Sequence, residues 1–162
     1  MRVLGLVPVL AILAPAAAWA GTPAAPSPLV LEPGRAVEIS CEGKAVVVAT
    51  GAPQATTGRL RLSLLAAEPQ RGTWRIVSVD PGHAGSLGAR EAKACAEGCP
   101  LVVSGTDQIQ LWSPAPKGLD QLAEKEMLLI AVLKTATLDL RATSFNGKQI
   151  EALEEGRCEV AP

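Results

Sequence analysis

From Ala36 onward the chain is dominated by short runs in which apolar and polar residues alternate. Val37, Ile39 and Cys41 alternate with Glu38 and Ser40, and Leu60, Leu62 and Leu64 alternate with Arg59, Arg61 and Ser63. A period of two sends successive side chains to opposite faces of a strand, so each run predicts a strand with one buried face. Trp74 and Ile76 repeat the pattern against Arg75 and Val77. Residues 101–103 and 108–112 flank Ser104-Gly105-Thr106-Asp107, a cluster of turn formers, and read as a hairpin. Residues 127–133 are apolar enough for a central strand. In 137–145, Leu138, Leu140 and Ala142 alternate with Asp139, Arg141 and Thr143 before the turn signal Asn146-Gly147. Glu42-Gly43-Lys44 reads as a tight turn into Ala45-Val46-Val47-Val48, which would make a first hairpin.

Helix signals are brief. Residues 89–96 are rich in helix formers, 119–125 place Leu119, Leu122 and Ala123 on one face, and 149–155 end at Gly156, a suitable C-terminal cap. Seven or so strands with one to three short helices predict a mainly β fold, either an antiparallel sandwich or a small closed β-barrel. An α+β arrangement is the alternative.

Residues 1–20 carry one positive charge at Arg2, an apolar run from Val3 to about Leu13, and the small-residue ending Ala18-Trp19-Ala20. This is the pattern of a secretory signal peptide, with cleavage expected before Gly21. The run is shorter than the roughly 18–20 residues that span a bilayer, and no later stretch is longer, so no membrane span is expected after cleavage. The mature protein is therefore expected to be periplasmic or secreted. Residues 21–34 contain four prolines and read as an extended linker, leaving 35–162 as a single domain.

Composition narrows the chemistry. The 162 residues hold 15 Lys plus Arg against 16 Asp plus Glu, and losing Arg2 with the signal leaves 14 against 16, a formal balance of −2. With no basic surplus, no Tyr, and only Trp74, Trp112 and Phe145 as aromatics beyond the signal, the chain lacks the charge and stacking surface of a nucleic-acid binder. The single histidine, His83, lies near Asp80 in a glycine-rich stretch where a carboxylate could orient it as a base. No nucleophile accompanies it, since Ser86 sits in Gly85-Ser86-Leu87-Gly88 rather than a G-x-S-x-G elbow. Glu124 with Glu126, and Glu154 with Glu155, lack both the spacing of a calcium loop and the aromatic groove of a glycosidase, and read as solvated helix faces. No catalytic residue, metal or cofactor is expected.

Four cysteines remain: Cys41, Cys95, Cys99 and Cys158. An even number in an exported chain points to two disulfides, for which three pairings are open. The favoured one joins Cys95 to Cys99 locally and Cys41 to Cys158 across the domain, tying the first strand to the end of the chain. On chain entropy, closing the long loop is worth roughly 5 kcal/mol and the short one roughly 2 kcal/mol.

Cys95-Ala96-Glu97-Gly98-Cys99-Pro100, a C-x-x-x-C-P loop, resembles the copper-binding loop of Sco-type copper chaperones, in which two thiolates and a downstream histidine form a soft three-ligand site. The resemblance covers these six residues, and His83 lies upstream of them. Trp112-Ser113-Pro114 is the remaining feature. If Ile109 and Leu111 face the core, Trp112 points away, to cover a second sheet or to meet a partner. Trp112 and His83 are thus the candidate binding residues. The expected function is an exported, non-enzymatic binding or interaction module for a protein or small-molecule ligand. The alternative is a thiol-redox or copper-handling protein using the C-x-x-x-C-P loop.

Overall fold

The computed structural model describes residues 28–48, 54–80, 94–114, 118–124 and 126–162. The signal segment, His83 and most of the stretch read as a helix at 89–96 lie outside them. Eight strands follow one another: β1 (Ala36–Val47), β2 (Gln54–Glu68), β3 (Arg71–Val79), β4 (Cys99–Ser104), β5 (Gln108–Ser113), β6 (Met127–Lys134), β7 (Asp139–Asn146) and β8 (Gln149–Val160). Each pairs antiparallel with the next, and β8 returns to pair with β1. The result is a closed up-and-down barrel rather than a sandwich. Closure satisfies the backbone groups of both outermost strands, which an open sheet would leave unpaired.

Three local expectations are corrected. Residues 149–155 are not a helix but the first half of β8. A helix of that length is marginal in water, whereas the strand gains partners on both sides, β7 and β1. Gly156 accordingly sits in mid-strand. Glu42-Gly43-Lys44 is not a turn, because β1 runs straight through it and Gly43 pairs with Gly58 on one side and Gly156 on the other. The helix expected at 119–125 is a single 3-10 turn, Leu119–Gln121, with no side-chain cap and none of its own three residues buried.

Inward positions form layers along the barrel. Where β1 begins, Ile39, Leu62, Leu64 and Trp74 are buried, followed by Leu60 with Cys41 and Cys158. The cysteines pair as Cys41–Cys158 and Cys95–Cys99. The first bridge links register partners on β1 and β8, so it lies across the seam that closes the barrel. The next layer contains Gly43, Gly58 and Gly156 beside Leu140 and Leu133. Towards the far end the inward residues of β1, β8 and β7 become small or polar, Ala45, Glu154 and Ala142, then Ala152 and Ser144, while β5 and β6 still contribute Leu111 and Leu129.

The connections are unequal. At the end where β1 starts they are short: 69–70, 105–107 and 135–138. Residues 28–34, read from sequence as part of a solvated linker, lie against this end. Leu29 and Leu31 pack on the core, the Leu29 amide donates to the Thr135 carbonyl at 2.8 Å, and that of Gly34 donates to the Ala66 carbonyl at 2.8 Å. The opposite end receives the long connections 48–53, 80–98 and 114–126, with the short turn 147–148. The outer wall carries charges such as Glu38, Glu42, Arg59 and Arg141 around an apolar interior, the reverse of a lipid-embedded barrel.

Candidate functional site

The outer faces of β1, β8, β7 and β6 sink into a groove of about 600 Å³. Its floor includes Gly43 and Gly156, and the physical reason for glycine there is strand proximity. A Cβ on Gly43 would stand 2.8 Å from the Glu155 carbonyl oxygen and 3.2 Å from the Gly156 Cα; one on Gly156 would stand 3.2 Å from the Glu42 carbonyl oxygen. β1 and β8 therefore approach more closely here than side chains allow.

Two rows of charge run across the groove, set by register. Arg59, Glu42, Arg157 and Asp139 are successive partners from β2 through β1 and β8 to β7. One step along the strands, Lys44, Glu155 and Arg141 follow the same order. Signs alternate in both directions, which favours the sheet through its cross-strand pairs. Two ion pairs form, Arg59 with Glu42 at 3.6 Å and Arg141 with Glu155 at 3.7 Å. All four side chains are largely exposed, so each pair contributes little to stability. Lys44, Lys134 and Arg157 also line the groove, and among the described residues none of them has a carboxylate oxygen within 4 Å.

A second outer row lies nearer the long connections. Val46, Leu153, Thr143, Ile130 and Trp112 are successive register partners across five strands, and Leu153 is 42% exposed. Trp112 neither covers a second sheet nor stands free. It lies half-buried on the outer wall with its indole N–H donating to Gln110 Oε1 at 3.3 Å, while its carbonyl accepts the Trp74 indole N–H at 2.9 Å inside. Trp74 itself is 1% exposed. In a Trp112→Phe variant of the chain starting at Gly21, iodide is expected to leave the remaining Trp fluorescence almost unquenched. Quenching near that of free tryptophan would contradict this burial.

Cys95 and Cys99 are bridged and buried, 0% and 4% exposed, within the same apolar cluster as Trp74 and Leu101. His83 lies outside the described residues, so nothing places it beside them. Among the described residues no group of three His, Cys, Asp or Glu side chains is placed to hold a metal. Glu154, expected on a solvated helix face with Glu155, is instead 2% exposed and faces inward between its register partners Ala45 and Ala142, whose small side chains leave it room. One layer on, the Ser144 hydroxyl is buried without a hydrogen-bond partner among the described residues.

Sequence reasoning missed the groove, because half of its lining, Glu42, Gly43 and Lys44 on β1 and Glu155, Gly156 and Arg157 on β8, comes from stretches read as a turn and as the end of a helix. A signal was available: counting back from Cys158 in steps of two gives Gly156, Glu154 and Ala152 as the inward set and leaves Arg157 and Glu155 outside. The architecture is that of an eight-stranded meander barrel with a filled core and a charged outer groove. No protein-family model, curated protein or solved structure matches this chain.

Proposed function

We propose that this chain is an exported, non-enzymatic binding module, periplasmic or secreted, that engages its ligand on the outer wall. The groove carries the reading: it is a concave surface of ligand-sized volume that includes three cations without ion-pair partners among the described residues. Export is supported by the signal-like N-terminus and by two disulfides, which persist in oxidising compartments. At the β1-start end large apolar side chains fill the interior and residues 28–34 lie across it, which argues against a ligand carried inside there. Thiol exchange or copper binding at Cys95 and Cys99 loses support from their burial, since an attacking thiolate or an incoming metal needs access to sulfur.

The test compares retention of periplasmic components on the immobilised exported chain and on its Lys44→Ala/Arg157→Ala variant, with both eluates identified by mass spectrometry. The expected result is a species held by the wild-type chain and lost from the variant. Identical eluates, or nothing retained above bare matrix, would overturn the reading.

A further inference from the structure

We propose that the groove is a site for a small polyanion, a ligand carrying two or more carboxylate or phosphate groups; this rests on the binding-module reading and names its ligand class. Charge is the first ground. Of the three carboxylates lining the groove, Glu42 is held by Arg59 and Glu155 by Arg141, while Asp139 accepts a hydrogen bond from the Thr137 hydroxyl at 2.6 Å. Against these stand Lys44, Lys134 and Arg157, with no carboxylate within 4 Å among the described residues. Among the described residues the charge facing the groove outside ion pairs is three cations against the one carboxylate of Asp139, a positive surplus in a chain whose formal net charge is −1.

Spacing is the second ground, and it sets the valence. Lys44 on β1 and Arg157 on β8 lie on adjacent strands one pleat apart, so their Cα atoms stand about 8 Å from each other by strand geometry. Lys134 follows Leu133 on β6, two strands beyond β8, which places it about 10 Å from Arg157. A single oxyanion engages one of these cations at hydrogen-bond distance, whereas a ligand with several anionic groups engages two or three together. Arg157 offers a planar fork to one group and the lysines offer point charges to others. The glycine floor is the third ground. Gly43 and Gly156 both face inward, so the groove meets their bare backbone where β1 and β8 draw together, and the volume of about 600 Å³ accommodates a small molecule.

The experiment is isothermal titration of the exported chain at low ionic strength with tripolyphosphate and with citrate, each beside its single-group counterpart, inorganic phosphate and acetate. At least one polyanion is expected to bind tenfold or more tightly than its counterpart, and the arm that does so assigns phosphate or carboxylate chemistry. Lys44→Ala/Arg157→Ala is expected to lower that affinity at least tenfold. Arg71→Ala/Arg75→Ala, on β3 across the barrel, is expected to leave it unchanged. Failure of both polyanions to bind, absence of the multivalent preference, or equal loss in the β3 variant would each overturn the proposal. If the groove variant does not fold, amide shifts in the wild-type chain decide instead: they should concentrate at Gly43 and Gly156, and shifts confined elsewhere refute the site. A chain that retains a periplasmic component through the groove yet binds neither polyanion leaves the module reading standing and removes this one.

Discussion

Replacing Cys41 and Cys158 together by alanine is expected to lower unfolding stability by about 3–5 kcal/mol, more than removal of the other bridge. The bond joins residues separated by 117 positions, so its loss frees nearly the whole domain in the unfolded state, whereas the 95–99 bridge closes a separation of 4 and is worth about 2 kcal/mol. Position adds to length. Cys41 and Cys158 are register partners on the first and last strands, and both lie in the core, so alanine also removes buried sulfur from the layer beneath Ile39. Urea unfolding of the exported chain checks this. The midpoint should fall, and the dependence on urea should steepen because an unbridged unfolded chain exposes more surface. If the Cys95→Ala/Cys99→Ala variant proves equally destabilised, the strand pairing of β1 with β8 rather than the cross-link holds the seam.

That seam also marks where sequence patterning succeeds and where it stops. β2 is legible because Leu60, Leu62 and Leu64 are large, inward and regularly spaced, so a local window contains the whole signal. The β4–β5 hairpin is legible for the same reason, with its turn formers between two apolar runs. β8 hides because its inward set, Ala152, Glu154, Gly156 and Cys158, contains no large aliphatic side chain, while Gln149-Ile150-Glu151-Ala152-Leu153-Glu154-Glu155 is made mostly of helix formers. Its strand conformation comes from pairing with β1, more than a hundred residues away in sequence, and no local pattern reports that. Gly43 misleads in the same way: in isolation it suggests a turn, and only the approach of β8 explains it. The groove inherits both misreadings. Lys44, Lys134 and Arg157 are ordinary surface cations until register brings their strands together. Trp112 was legible as outward-pointing from its alternation with Leu111, but its half-burial depends on neighbours on other strands.

Gly72→Ala is expected to cost about 3 kcal/mol or more, because among the described glycines it meets the closest backbone obstacle to an added methyl group. Gly72 is the second residue of β3 and is paired on both sides, with Ala66 of β2 and Leu101 of β4. A Cβ there would overlap the Leu65 carbonyl oxygen and stand 2.9 Å from the Ala66 Cα. Both obstacles are backbone atoms of a paired strand, so no rotamer change relieves the overlap; β2 must move, and with it the buried neighbours Leu64 and Ala66. Gly43→Ala meets a milder conflict, 2.8 Å from the Glu155 carbonyl oxygen, and is expected to cost about 1–3 kcal/mol while shifting the groove floor. Urea midpoints of the two variants should therefore rank Gly72→Ala below Gly43→Ala, with both below wild type. The reverse order would mean that the β2–β3 hairpin relaxes through its register shift between Ala66 and Glu68, and that the close contact of β1 with β8 is the less yielding part of the barrel.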